Sequence, residues 1–224
     1  MKKNLYIQYE NNFFDKIINK KRAEMVNLMK KKINISQIDD LLDIGTTEDI
    51  SAKSSNIFCK LLDNIKIHKS ISNQKITNKR FHSSIEKSIT SDFNEELIKK
   101  FKSDLVISSA TIEHVGDFQN QVTKVKNMIS LSKKYIVLST PNRFYPIEFH
   151  TKLPFFHWLP KPLHRLILNF IGLKFYANEK NLNLLSKNDF KNIIDQKEVS
   201  FRITSINLLK LPSNLILIGK KSKF

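Results

Sequence analysis

Glycine, cysteine and proline are scarce: the 224 residues include 4, 1 and 6 of them. So little glycine and proline excludes a collagen-like repeat or a low-complexity tract. The lone Cys59 excludes an internal disulfide framework and a cysteine-based zinc cluster. It fits a reducing compartment, and a cytoplasmic location is expected. Long apolar runs are missing too. A spanning helix needs about 18 successive apolar residues, and Lys152, Lys161 and Arg165 interrupt the greasiest stretch. The start, Met1-Lys2-Lys3-Asn4, is basic as in a secretion signal, but Asn11, Asn12 and Asp15 break the apolar core such a signal requires.

Acid is also in short supply, with 21 Asp and Glu against 38 Lys and Arg, giving a net charge of +17 and a pI near 9.8. Clustered cations would suit a phosphate backbone. Here the basicity is diffuse. Only Arg22, Arg80, Arg143, Arg165 and Arg202 are arginine, and the lysines are scattered among asparagine and isoleucine, a bias that AT-rich codons produce. Nucleic acid is therefore not expected as a partner, whereas attraction to acidic surfaces at low salt is. What the chain does have is apolar mass, 41% hydrophobic with 16 Phe, enough for the core of one ordinary domain.

Periodicity gives the order of elements. Phe14, Ile17, Ile18, Met25, Leu28 and Met29 predict an opening amphipathic helix over Phe13 to Ile33, read as a helical cap occupying residues 1–37. A strand follows at Ile38 to Ile44, then a helix at Ser54 to Leu62 and strands at Ile65 to Ile71 and Ser84 to Ile89. Beyond a short helix at Leu97 to Phe101, the continuous run Leu105-Val106-Ile107 predicts a strand buried on both faces. A helix over Phe118 to Leu131 and a strand at Tyr135 to Leu138 come next. Ser186 and Asp189 form a capping box before a last helix. Val199 to Leu209 and Leu215 to Ile218 then form a hairpin around Pro212-Ser213-Asn214. This alternation predicts an α/β layer fold with a mostly parallel sheet, whose ligand lies at the carboxyl ends of the strands.

The residues just past those ends are chemically specific: Leu41-Leu42-Asp43-Ile44-Gly45-Thr46-Thr47, Ser108-Ser109-Ala110-Thr111-Ile112-Glu113-His114-Val115, and Ser139-Thr140-Pro141-Asn142-Arg143-Phe144. Together with the closing hairpin, they resemble the class I S-adenosylmethionine-dependent methyltransferases of small-molecule type, over roughly Ile38 to Lys220. The run from Thr140 through Tyr145-Pro146-Ile147-Glu148-Phe149-His150-Thr151 to His157-Trp158-Leu159-Pro160 is similar to a bacterial subgroup of these enzymes.

The resemblance implies a Rossmann-like fold with a seven-stranded, mostly parallel sheet, helices on both faces and a terminal antiparallel hairpin. It places the methyltransferase domain at residues 38–220, with an acceptor-side insertion at about 143–178. S-adenosylmethionine is the implied cofactor, with Asp43, Gly45, Thr46, Thr47, Asn73, Asp92 and Ser109 around it. Thr47 and Asp49 stand where the family pattern has glycine, and Asn73 stands near the place of a ribose-binding acid. These departures keep a second reading open, a cofactor-free binding or scaffold module. The implied acceptor is a small molecule or a glycan or lipid precursor, held by Asn142, Arg143, Tyr145, Glu148, His150 and Trp158.

His114 has two readings: it accepts the acceptor's proton with Glu113 orienting the ring, or it packs beneath the cofactor while Glu113 caps the next helix. His150, His157 and His164 recur every seventh residue, but Pro154, Pro160 and Pro162 break any shared helical face, so no metal is expected. Pro162 to Phe175 reads as an amphipathic helix with Leu163, Leu166, Ile167, Phe170 and Ile171 turned inward. Transient contact with a membrane surface is its alternative role.

Overall fold

The computed structural model describes residues 12–48, 55–194 and 199–221. Asp49 and Ser54 lie outside the described residues. The opening helix, α1 (Asn12–Lys32), is followed by β1 (Asp40–Ile44), α2 (Ile57–Leu61), β2 (Ile67–Ser72) and β3 (Ser83–Glu86). Next come α3 (Glu95–Phe101), β4 (Ser103–Ser109), α4 (Phe118–Leu131) and β5 (Ser132–Pro141). The insertion carries α5 (Lys161–Phe170) and α6 (Lys174–Ala177), and the chain closes with α7 (Lys187–Ile193), β6 (Val199–Leu208) and β7 (Leu211–Lys221).

The seven strands form one sheet in the order β3-β2-β1-β4-β5-β7-β6. The first five are parallel, and β7 runs antiparallel to both β5 and β6. Successive strand residues point to opposite faces, so the buried runs feed two cores. Leu42, Val106 and Leu217 pack with Val125, Met128 and Phe190 from α4 and α7. Leu41, Leu105, Ile107 and Ile216 pack with Met25 and Met29 of α1, Phe58 of α2 and Leu62 just after it. The amino-terminal helix thus covers one face of the sheet, and a boundary at residue 37 separates no second core.

Two local expectations need correction. The hairpin does not turn at Pro212-Ser213-Asn214; it turns at Leu209 and Lys210, whose φ values are 51° and 66°. Left-handed residues at both central positions match the twist of paired strands. Pro212 is instead inside β7, opposite Asn207 beside a register shift. The stripe on α5 faces the wrong way for a core: Leu163, Leu166, Phe170 and Ile171 are all exposed, Phe170 by 91%. His164 and Leu168 are the buried residues of that helix. The capping box is present as expected, with Ser186 N donating to Asp189 Oδ2 at 2.8 Å and Asp189 N to Ser186 Oγ at 3.2 Å.

Candidate active site

The chain runs outward from β1 to β3 and then returns to lay β4 on the other side of β1, so the strand order reverses between β1 and β4. Open α/β sheets bind ligands at such a reversal. Gly45 caps β1 there, exposed, with φ +87°, its N–H donating to the Ile71 carbonyl at 2.9 Å. A Cβ at this position would lie 2.7 Å from Thr111 Cγ2, so the turn can approach the loop after β4 only with glycine. Thr46 is buried; its hydroxyl donates to Asp43 Oδ2 at 3.1 Å and its carbonyl accepts from Ser72 Oγ at 2.6 Å. Thr47 is fastened through its backbone to the Asn56 amide, which accepts at 3.1 Å and donates at 2.8 Å.

Asn73 is exposed just past β2, Asp92 is exposed between β3 and α3, and Ser109 ends β4, accepting from Ser139 Oγ at 3.2 Å. Asp43, Gly45, Thr46, Thr47, Asn73 and Ser109 therefore stand at the carboxyl end of the sheet, whereas Asp92 follows a segment whose Ile89 and Ser91 carbonyls accept from Asn127 of α4. A separate hollow of about 350 Å³, lined by Lys30, Ile33, Asn34 and Asp63, lies by the amino ends of β1 and β2, away from them.

Beneath this edge is a group the sequence reading missed. Lys124 on α4 is 1% exposed, and its ammonium donates to the Thr111 hydroxyl. Burial pulls its pKa down to about 7, against the attraction of Glu113 and Asp43. Burial likewise pushes Asp43 up to about 6, opposed by hydrogen bonds from Thr46 and Cys59 and by the charge of Lys124. The sequence held a signal: Gln121, Lys124, Val125 and Met128 share the buried stripe of α4.

The loop after β4 presents Glu113 and His114 on one 3-10 turn. Glu113 is wholly buried; Thr140 Oγ1 donates to its Oε2 at 3.0 Å, while its Oε1 has no hydrogen-bond partner among the described residues. It does not cap α4, because Asp117 does so by accepting from Asn120 N at 2.8 Å. The ring of His114 donates from Nδ1 to the Asn181 carbonyl at 2.7 Å, and its Nε2 lies 3.9 Å from Glu113 Oε1. The insertion brings His150 against this ring, with the two Nε2 atoms 3.1 Å apart. Glu148 is buried and accepts His150 Nδ1–H at 2.6 Å as well as the backbone N–H groups of His150 and Thr151. Burial opposes ionisation of both partners, yet their hydrogen bond and mutual charge lower Glu148 and raise His150. His114 is lowered, chiefly by burial.

Four expected acceptor residues serve the frame of the insertion. Asn142 donates its amide N–H to the Pro212 carbonyl at 2.8 Å and accepts from Phe144 N at 3.2 Å. Arg143 donates to the carbonyls of His157 and Leu159 at 3.0 and 2.7 Å. Tyr145 is buried and stacked on Phe149, and its carbonyl accepts from His157 Nε2 at 2.6 Å and Trp158 Nε1 at 3.3 Å. Trp158 is 43% exposed, edge-on to Phe155. The heptad histidines separate: His157 lies near His164, at 6.4 Å between ring centres, while His150 joins His114.

No family model matches the chain, and no curated protein does. Among solved structures it is similar to magnesium protoporphyrin IX methyltransferase (ChlM) from Synechocystis PCC 6803 with bound SAH. That likeness is 14% identical over 97% of this chain and 90% of the other, at a TM-score of 0.57. N-methyltransferase NodS from Bradyrhizobium japonicum WM9 is 10% identical over 92% and 98% of the two chains, at a TM-score of 0.53. An O-methyltransferase family protein from Burkholderia thailandensis is 11% identical over 93% of this chain and 58% of its own, at a TM-score of 0.57. The polypeptide therefore has the Rossmann-like α/β fold of class I S-adenosylmethionine-dependent methyltransferases, with its antiparallel β6–β7 hairpin.

Proposed function

We propose that the chain transfers a methyl group from S-adenosylmethionine to a small molecule or a glycan or lipid precursor. The observation that carries this reading is convergence at the sheet reversal: the exposed Gly45 turn meets Thr111, and the same loop delivers Glu113 and His114 to the insertion's His150. S-adenosylmethionine supplies an electrophilic methyl group on a sulfonium. Asp43, Gly45, Thr46, Thr47, Asn73, Asp92 and Ser109 form the edge that would hold it; Gly45 leaves room for close backbone approach, and Asn73 offers a neutral acceptor near the ribose position. Thr47, tied back to Asn56, leaves the Gly45 backbone exposed. That arrangement favours the enzyme over the cofactor-free module.

The chain's own contribution is positioning and proton removal. Asn142 and Arg143 anchor the insertion to β7 and to the Phe156–Trp158 turn, which fixes Glu148 and His150 over the site. His114, its ring set by the Asn181 carbonyl, takes the proton of an acceptor hydroxyl, with His150 and Glu148 behind it. Aligning nucleophile and electrophile supplies the larger share of the rate.

The insertion also bears on the acceptor's class. Leu163, Leu166 and Phe170 form an exposed apolar face on α5, next to Lys161 and Arg165, and single acidic Glu148 between Arg143 and Lys174 is buried. An exposed apolar patch on a strongly basic chain suits contact with a lipid surface, and so a lipid-borne acceptor, although Arg165 is paired with Glu179 and Lys161 donates to Asn183. Calorimetry with S-adenosylmethionine and S-adenosylhomocysteine tests the whole reading. Saturable binding of both is expected; no heat from either at millimolar concentration would leave the cofactor-free module.

A further inference from the structure

Glu113, His114 and His150 each offer one ligand atom, and the three atoms lie within 4.8 Å of one another. From the sequence no metal is expected, because prolines break the seven-residue series of His150, His157 and His164; only the fold brings residue 150 to residue 114.

Three features of the cluster suit a cation. The facing Nε2 atoms, 3.1 Å apart, share one proton in a hydrogen bond, and an ion can take that proton's place between the two lone pairs. Both rings have their Nδ1–H engaged outward, His114 to the Asn181 carbonyl and His150 to the Glu148 carboxylate. That is the arrangement by which metal-bound histidines are oriented and made more basic. Finally, Glu113 Oε1 is fully buried, has no hydrogen-bond partner among the described residues, and lies 3.9 Å from His114 Nε2. An orphaned carboxylate oxygen in a dry site is costly unless it faces positive charge.

We infer that Glu113, His114 and His150 bind a divalent transition-metal ion of the zinc class. Bonds of about 2.0–2.2 Å place tetrahedral ligand atoms about 3.3 Å apart. The histidine pair already has that separation, and the Glu113 carboxylate needs to close by about 1 Å. Two imidazoles and a carboxylate suit zinc, cobalt, iron or manganese and leave positions open for a further ligand. Both histidine side chains keep 17% of their surface exposed, so an ion can enter. Only the ion's use rests on the methyl-transfer reading: with His114 Nε2 taken up as a ligand, the ion in place of the ring would draw an acceptor oxygen to the site and ease loss of its proton. Its binding does not depend on that reading.

The test is a titration of the full, chelator-stripped chain with Co2+, followed by visible absorption, and with Zn2+ by calorimetry, both without cofactor. One equivalent per chain with a d–d band is expected, displaced by Zn2+. His150→Ala and Glu113→Gln should each weaken affinity at least tenfold, and His82→Gln, at an exposed histidine outside the trio, should not. Circular dichroism checks that the variants fold. If either does not, the wild-type titration still decides: no band and no heat at millimolar ion overturns the site, as does unchanged affinity in a folded His150→Ala. S-adenosylhomocysteine binding to the stripped protein separates the two claims, since its retention alongside a missing cobalt band rejects the metal alone.

Discussion

Replacing Gly45 by alanine tests how closely the two loops at the sheet reversal meet. The added Cβ has two separable costs. Left-handed backbone, here at φ +87°, costs an L-residue about 1–2 kcal/mol. The 2.7 Å approach to Thr111 Cγ2 adds overpacking of about 1–3 kcal/mol, because Thr111 is held by Ser108 and Lys124 and cannot swing away freely. Gly45→Ala should therefore lose about 2–5 kcal/mol in urea unfolding. Thr111→Ser removes the offending methyl and keeps the hydroxyl that Lys124 and Ser108 use. In the double variant the steric part should be relieved, giving a coupling of about 1–2 kcal/mol, while the backbone part stays. Affinity for S-adenosylhomocysteine should fall in Gly45→Ala and recover in part with the coupling. Strictly additive unfolding energies would refute the argued contact, and unchanged affinity in all three variants would remove Gly45 from the cofactor edge.

Other expectations follow from the buried charges and the insertion. Lys124, at a folded pKa of about 7 against 10.5 unfolded, binds fewer protons in the folded chain between those values. Stability should rise with pH across that window, by up to about 4 kcal/mol, and Lys124→Met should abolish the rise. Urea unfolding of both chains at pH 7, 8.5 and 10 measures it, and a constant difference between them would mean that the lysine stays charged. His114→Ala should spare cofactor binding and slow turnover by about 100-fold or more; equal turnover would return His114 to a packing role. Leu166→Ser with Phe170→Ser, both exposed, should change stability by less than about 0.5 kcal/mol. The pair should reduce sedimentation with phosphatidylglycerol-containing vesicles; equal sedimentation of wild type and variant argues against a lipid-facing α5.

The sequence by itself determined the element order, because apolar periodicity in stretches such as Leu105-Val106-Ile107 and the stripe of α4 is a local property. It also placed Gly45, Glu113 and His114 at strand ends, where one residue's neighbours in the chain are its neighbours in the site. It misjudged the direction of the α5 stripe, since a helical pattern shows that one face is apolar and not which face the rest of the protein covers. The meeting of His150 with His114, the burial of Lys124 between Asp43 and Glu113, and the use of Asn142 and Arg143 as anchors were decided only by tertiary structure. Each joins segments more than ten residues apart, and a distance across the fold is set by how layers pack, which no local pattern records.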